Sequence, residues 1–242
     1  MTAPRPPAVH ESSALVLRRV EFGEADLVLS LFTETLGRVS ALARGARKSR
    51  KRFAGSLEPF FTIRVRLDEP RSGELFVLRE AVLVRPRTGL LGDLRKLEAA
   101  GRALAWTRQA APVRTPEPEA WAILERLLDR LAAEPAERPA EVELAEAGLL
   151  LLDAFGWALE LERCVRCGKP CPEDRAASAD ATRGGLVCRA CGGGRIRIPA
   201  NARLRLARAA SGEAGVLTSD DAAIALALVE RVLVAHAGIE AT

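Results

Sequence analysis

Phe60-Phe-Thr-Ile-Arg-Val-Arg-Leu67 places Phe61, Ile63, Val65 and Leu67 at alternate positions, with Phe60, Thr62, Arg64 and Arg66 between them. Successive strand side chains point to opposite faces, so this period of two describes a strand with one wet side. Working outward, Leu15 to Val20, Leu27 to Phe32, Arg38 to Ala43 and Leu75 to Val84 read as further strands. Turn chemistry separates them at Glu21-Phe-Gly-Glu24, Thr35-Leu-Gly37 and Glu69-Pro-Arg-Ser-Gly73. Five short strands with no convincing helix among them predict a small closed barrel, because closure removes unpaired edges. An SH3-like barrel fits the same pattern, so strand count alone does not choose the topology.

After Pro86 the period changes. Leu90, Leu94, Leu97, Gly101 and Leu104 predict one helical stripe, and Trp121, Leu124, Leu128 and Leu131 a second, entered through Thr115-Pro116. Val142, Ala145, Leu149, Leu152, Phe155 and Leu159 predict a third. Further helices are expected near Asn201 to Ala210 and Ser219 to Ala237. Trp106, Trp121 and Trp157 are placed on these helices, where burial of each is worth roughly 2–3 kcal/mol. The fold class is therefore α+β: a barrel followed by an all-helical domain.

Between the third and fourth helices lie Cys164-x-x-Cys167 and Cys188-x-x-Cys191. Each pair brings two thiolates together from one tight turn, and two facing turns make the tetrahedral sulfur cage that Zn²⁺ prefers. The intervening segment has few large apolar side chains, so a metal would supply its stability. The expectation is one structural Zn²⁺ held by Cys164, Cys167, Cys188 and Cys191, with Cys171 a bystander. The expected divisions are an unstructured arm at 1–12, the barrel at 13–86 and the helical domain at 87–242, carrying the metal insertion at about 162–198.

Hydrophobic residues make up 48% of the 242, as in a folded protein. The start lacks a signal-peptide core and the longest apolar run is too short to span a bilayer, so a cytoplasmic protein with reduced thiols is expected. Net charge is only +4, but its distribution is uneven. No Asp or Glu occurs from Arg38 to Leu57, while Arg38, Arg44, Arg47, Lys48, Arg50, Lys51 and Arg52 crowd there. Such a run repels itself unless an anion lies against it, and its cations can displace counterions from phosphates. Arg64 and Arg66 extend the same track, or else are ordinary surface charges. Phe53, Phe60 and Phe61 are better read as core than as base-stacking platforms. Phosphate tracking without sequence readout is the expectation.

Catalytic patterns are absent. The two histidines, His10 and His236, lie in the expected arm and near the end of the last helix. No His-based triad or His-x-Glu deaminase signature follows from them. Gly45-Ala-Arg-Lys48-Ser49 ends like a phosphate loop, but Arg47 stands where that motif requires glycine. A four-thiolate cage is also coordinatively closed.

The ordered set Ala14-Leu-Val-Leu17, Gly23-Glu-Ala-Asp26, Leu31-Phe-Thr-Glu34 with Gly37, Ala43-Arg-Gly-Ala-Arg-Lys48 and Leu57-Glu-Pro-Phe60 resembles the RecO family of bacterial recombination-repair mediators. The likeness continues through Leu152-Asp-Ala-Phe-Gly156, Cys164-Val-Arg-Cys-Gly168 and Gly184-Gly-Leu-Val-Cys188-Arg-Ala-Cys191. It implies an N-terminal five-stranded OB-fold, then a helical domain with a zinc-binding insertion. It further implies a non-enzymatic, nucleoid-associated bacterial protein that binds single- and double-stranded DNA and anneals complementary strands. With RecR, such a protein helps RecA displace single-strand-binding protein. The family's DNA-contacting region maps onto Arg44, Arg47, Lys48, Arg50, Lys51 and Arg52. Lys51 departs from a serine common in the family and adds a cation. Some members lack the cysteines, which makes the metal a scaffold. Two other classes stay open at this point: a zinc-ribbon transcription or RNA-associated binding factor, and a metal-dependent enzyme with an open coordination position.

Overall fold

A computed structural model describes residues 8–49, 51–53, 55–70 and 72–237. They divide into two compact units, one running to Thr88 and including Ala111–Trp121, the other formed by Gly89–Ala110 and the chain after Trp121.

The first unit is built on strands β1 (Val9–Phe22), β2 (Asp26–Thr33), β3 (Gly37–Ala43), β4 (Thr62–Asp68) and β5 (Leu75–Arg85). They close in the order β1-β2-β3-β5-β4, with β4 returning to β1. All pairings are antiparallel except β3 with β5, where Ser40, Ala41 and Leu42 face Leu75, Phe76 and Val77. This closed five-stranded barrel is the OB-fold. Strand β1 closes it by pairing twice: residues from Val9 to Leu15 lie on β4, and those from Ala14 to Phe22 on β2. A bulge between Val16 and Arg18 lets one strand serve both partners, since an inserted residue bends the strand and shifts its facing set. The interior is filled by alternate residues, among them Val16, Leu29, Leu31, Val39, Ile63, Val65, Leu67, Phe76 and Leu78.

Two expectations are corrected here. The arm at 1–12 is strand from Val9 onward: Glu11 and Ser12 pair with Arg66 and Val65, and the polar sequence hid a strand whose partner is far along the chain. Residues 1–7 lie outside the described residues. Phe60 and Phe61 precede β4 rather than opening it, because Phe60 has φ 75°, which ends any extended run. Thr62, on the face opposite Ile63, is buried because Arg87 lies against it and donates to its Oγ1 at 2.9 Å.

The second unit contains α1 (Leu94–Ala110), α2 (Pro118–Ala132), which begins in the first unit, α3 (Ala140–Ala154), α4 (Ala200–Ala210) and α5 (Ser219–Ala237). The predicted α1 stripe is rotated. Leu94 is 71% exposed, and the buried residues are Lys96, Ala99, Ala100, Ala103, Leu104, Trp106 and Thr107. Small alanines allow close helix approach, and Lys96 is tolerated because its Nζ donates to the Ala133 carbonyl at 2.9 Å. Helix α2 starts at Pro118 instead of at Pro116, and Trp157 lies beyond the end of α3. The stripe Trp121, Leu124, Leu128 and Leu131 is buried, as are Val142, Ala145, Leu149 and Leu152.

Between α3 and α4, strands β6 (Glu160–Cys164), β7 (Ala177–Asp180), β8 (Gly185–Leu186) and β9 (Ile196–Ile198) form a small sheet in the order β6-β8-β7-β9. This is the cysteine-bearing insertion. Arg203 of α4 ties it down: buried, it donates to the carbonyls of Leu161 at 3.0 Å and Pro172 at 2.8 Å.

Candidate nucleic-acid interface and metal centre

The basic segment from Arg44 to Arg52 joins β3 to the chain leading into β4 and is held at both ends. At its start, Gly45 takes the left-handed conformation, φ 67°, and opens a short 3₁₀ turn at Ala46–Lys48. The Gly45 N–H donates to Asp26 Oδ1 at 2.7 Å, and the Arg47 N–H to the Ala25 carbonyl at 3.0 Å. Ala46 is buried beneath the turn. At the far end, Phe53 and Leu57 insert into the barrel core. The Ala81 N–H donates to the Arg52 carbonyl at 3.1 Å, and Ser56 Oγ to the Ala81 carbonyl at 3.1 Å. A basic loop is thus fixed by backbone and apolar contacts, leaving its long side chains outside.

Those side chains are exposed for Arg44, Arg47, Lys48, Lys51 and Arg52; Arg50 lies outside the described residues. Arg47 meets Glu21 at 3.2 Å, a surface pair of small net worth that a phosphate can replace. Arg52 donates to the Arg44 carbonyl at 2.8 Å and lies over the Phe53 ring at 5.0 Å. Among the described residues, Lys48 and Lys51 make no ion pair. Among the described cations of this loop, Arg47 is the one paired with a carboxylate.

The remaining predicted cations divide. Arg38 is half-buried, and its Nε donates to the Ala111 carbonyl at 2.8 Å while its own carbonyl accepts from the Arg114 N–H at 2.9 Å. It fastens the 111–114 segment to the barrel. Arg64 is exposed, its β-sheet partners being Ser13 and Val82. Arg66 is exposed between Glu11 and Glu80 in register on its two neighbouring strands, so its charge is locally balanced. Asp26 and Ser56, which position the loop, carry no sequence signal, because their partners lie nineteen and twenty-five residues away.

The second constellation is the cysteine cluster. The sulfurs of Cys164, Cys167, Cys188 and Cys191 all lie within 4.8 Å of one another, with Cys167 and Cys188 at 3.7 Å. A tetrahedral ion with metal–sulfur distances of about 2.3 Å requires sulfurs roughly 3.8 Å apart, so the thiols present fit a zinc-sized ion. Each knuckle is closed by its own turn: the Gly168 N–H donates to the Cys164 carbonyl at 2.8 Å, and the Cys191 N–H to the Cys188 carbonyl at 2.9 Å. The Cys188 N–H also donates to Cys164 Sγ at 3.3 Å. Backbone N–H groups of Cys188 and Cys167 bring the Cys164 thiol down to about 6, while hydrogen bonding with the Cys188 and Cys167 sulfurs pushes Cys191 up to about 12. Four crowded thiols cannot all ionise by themselves, and a divalent cation reverses that balance. Cys171 is outside the cluster; its N–H donates to the Glu162 carbonyl at 2.8 Å.

The histidines are elsewhere. His10 lies on β1, within 3.4 Å of Glu69, and His236 stacks on Trp157 with ring centroids 5.8 Å apart. Among the described residues, no helix is long and apolar enough to cross a membrane.

The chain matches the family models described as Recombination protein O N terminal over residues 8–87 and Recombination protein O C terminal over residues 91–240. A DNA repair protein RecO from Anaeromyxobacter sp. (strain K) is 39% identical over 182 residues, 75% of this chain and 70% of the relative. The DNA repair protein RecO of Pelobacter propionicus is 36% identical over 228 residues, 93% of this chain and 90% of the relative. That of Myxococcus xanthus is 36% identical over 183 residues, covering 76% and 72%. With both halves matched in order on a barrel and a helical unit of the corresponding extents, this chain belongs to the RecO family of DNA repair proteins.

Proposed function

We propose that this protein is a non-enzymatic recombination mediator that binds single- and double-stranded DNA through the barrel's basic loop and anneals complementary strands. With RecR, it promotes RecA loading on DNA coated with single-strand-binding protein. The observation that carries the reading is the loop from Arg44 to Arg52: pinned at both ends, acid-free in sequence, and exposing five described cations. Two polyanions repel each other, and bringing them together requires charge screening rather than an acid, base or nucleophile. The cations of the loop supply that screening. The absence of a groove-reading helix on this loop favours phosphate contact over base readout. Arg64 adds to the surface, whereas Arg38 is held on the Ala111 carbonyl and exposed Arg66 has Glu11 and Glu80 opposite it in register.

Cys164, Cys167, Cys188 and Cys191 hold one Zn²⁺ in this reading, and the ion cross-links two knuckles that have little apolar core of their own. Metal analysis of the purified protein should give one zinc per chain; its absence, with Cys164 and Cys188 freely alkylated, would remove the metal from the account.

The functional test is strand annealing on DNA coated with single-strand-binding protein, with and without RecR. The native protein should anneal, R47A/K48A/K51A should not, and RecR should enable RecA loading only with the native protein. Annealing by the variant at physiological salt equal to the native rate would exclude the loop. Strong preference for RNA or for one base sequence would favour a zinc-ribbon binding factor instead.

A further inference from the structure

From Ala181 to Gly212 the chain carries seven arginines and no Asp or Glu, a second acid-free basic stretch that the loop reading leaves unused. The fold consumes three of them. Arg203 is buried on two carbonyls, Arg205 forks onto Asp221 at 2.6 and 2.9 Å, and Arg208 pairs with Glu213. Arg183 and Arg195 are exposed instead, and with Arg231 of α5 they line one open groove of about 770 Å³ beside the metal module. Asp180 is the single carboxylate among the described residues lining it. It accepts from the Thr182 N–H at 3.1 Å and hydroxyl at 2.7 Å, and lies 3.6 Å from Arg183. The groove therefore holds an excess of guanidinium over an apolar floor that includes Ile196 and Val234.

We propose that this groove is a second phosphate-binding surface, which holds one nucleic-acid strand while the barrel loop holds another. The inference rests on the DNA-binding reading above. Guanidinium forks match phosphate oxygens in pairs, and no aromatic residue lines the groove, so it grips backbone without stacking bases. Its size exceeds one anion, as a chain of phosphates would require. A mediator that joins two strands needs two such surfaces.

The full-length protein tests this by photo-crosslinking to a thiothymidine-substituted single strand, followed by peptide mapping and annealing assays. The native protein should crosslink in two places, the barrel loop and the segments around Arg195 and Arg231. R195E/R231E should lose the second set, keep the first and anneal at least tenfold more slowly. R195K/R231K should behave nearly as the native protein, and R195A/R231A should reduce the salt slope of binding by about 1.4. Retained cysteine protection in each variant controls for folding. Native protein that crosslinks only through the loop, or R195E/R231E that anneals at the native rate, would overturn the second surface and leave the loop's role intact. Loss of both crosslink sets would overturn the DNA-binding reading itself. Protection of the groove by oligoglutamate but not by oligothymidylate would assign it to an acidic peptide and also overturn the proposal.

Discussion

At Gly37 a single hydrogen in place of a methyl group decides whether the barrel can seat its neighbouring segment. The residue has φ 66°, and a Cβ built there would lie 1.8 Å from the Thr115 carbonyl oxygen. Gly37→Ala combines a disfavoured backbone conformation with a backbone clash, and should cost about 2 kcal/mol or more, read as a lower urea midpoint at unchanged m-value. A midpoint equal to the native one would show that Thr115 moves aside freely. Glu146 makes a different single-residue case. Burial pushes its carboxyl up, but the fork from Arg138 at 2.7 and 2.9 Å and the N–H groups of Leu217 and Gly215 hold it below the usual carboxylate range. The unfolded chain then binds more protons than the folded one in mild acid. Stability from this site is complete above about pH 4.3 and is lost as pH falls toward the depressed folded value. Glu146→Gln should therefore be destabilised by roughly 2–4 kcal/mol at neutral pH, with the gap to the native protein closing in acid. A gap that stays constant from pH 7 to pH 3 would contradict the assignment.

At the level of elements, the basic loop separates position from charge. If about six cations touch phosphates on a single strand, log K against log salt should slope near −4 for the native protein. R44A/R47A/K48A/K51A should flatten that slope by about 2.8 without altering thermal stability, since these side chains are exposed and the loop is held by its backbone. Asp26→Ala keeps every cation but removes the acceptor for the Gly45 N–H. It should weaken binding several-fold while leaving the salt slope nearly unchanged; a slope that falls as in the four-alanine variant would mean the loop needs no anchoring. In the insertion, Cys164→Ser should abolish metal binding, whereas Cys171→Ser should leave it intact.

Across the whole molecule, metal and barrel should come apart as separate units of stability. If the proposed ion is bound, chelation should expose backbone amides of Glu160–Ile198 to hydrogen exchange while β1 to β5 stay protected, because the barrel has its own apolar core whereas the proposed ion would cross-link the module's two knuckles. Equal exposure of both would sink that division. The same contrast explains how far the linear chain could be read. Alternation in Ile63, Val65 and Leu67, and paired Cys-x-x-Cys spacing, are local properties, each set by a few bonds of backbone geometry, and they declared strands and a four-cysteine cluster without help. A family likeness carried on ordered motifs supplied the barrel's connectivity, which strand count had left open. Other features depended on partners brought together from afar. The β1 strand from Val9 was concealed until β4 stood beside it, the stripe of α1 was rotated toward the neighbours that accept alanine, and Arg66 gained flanking carboxylates from two other strands. Which arginines of two acid-free stretches remain available, and which are consumed on Ala111, Leu161, Pro172 and Asp221, was likewise settled only by folding. Charge is a property of the residue, but its neutralisation is a property of distance, and distance between remote residues is created by the tertiary fold.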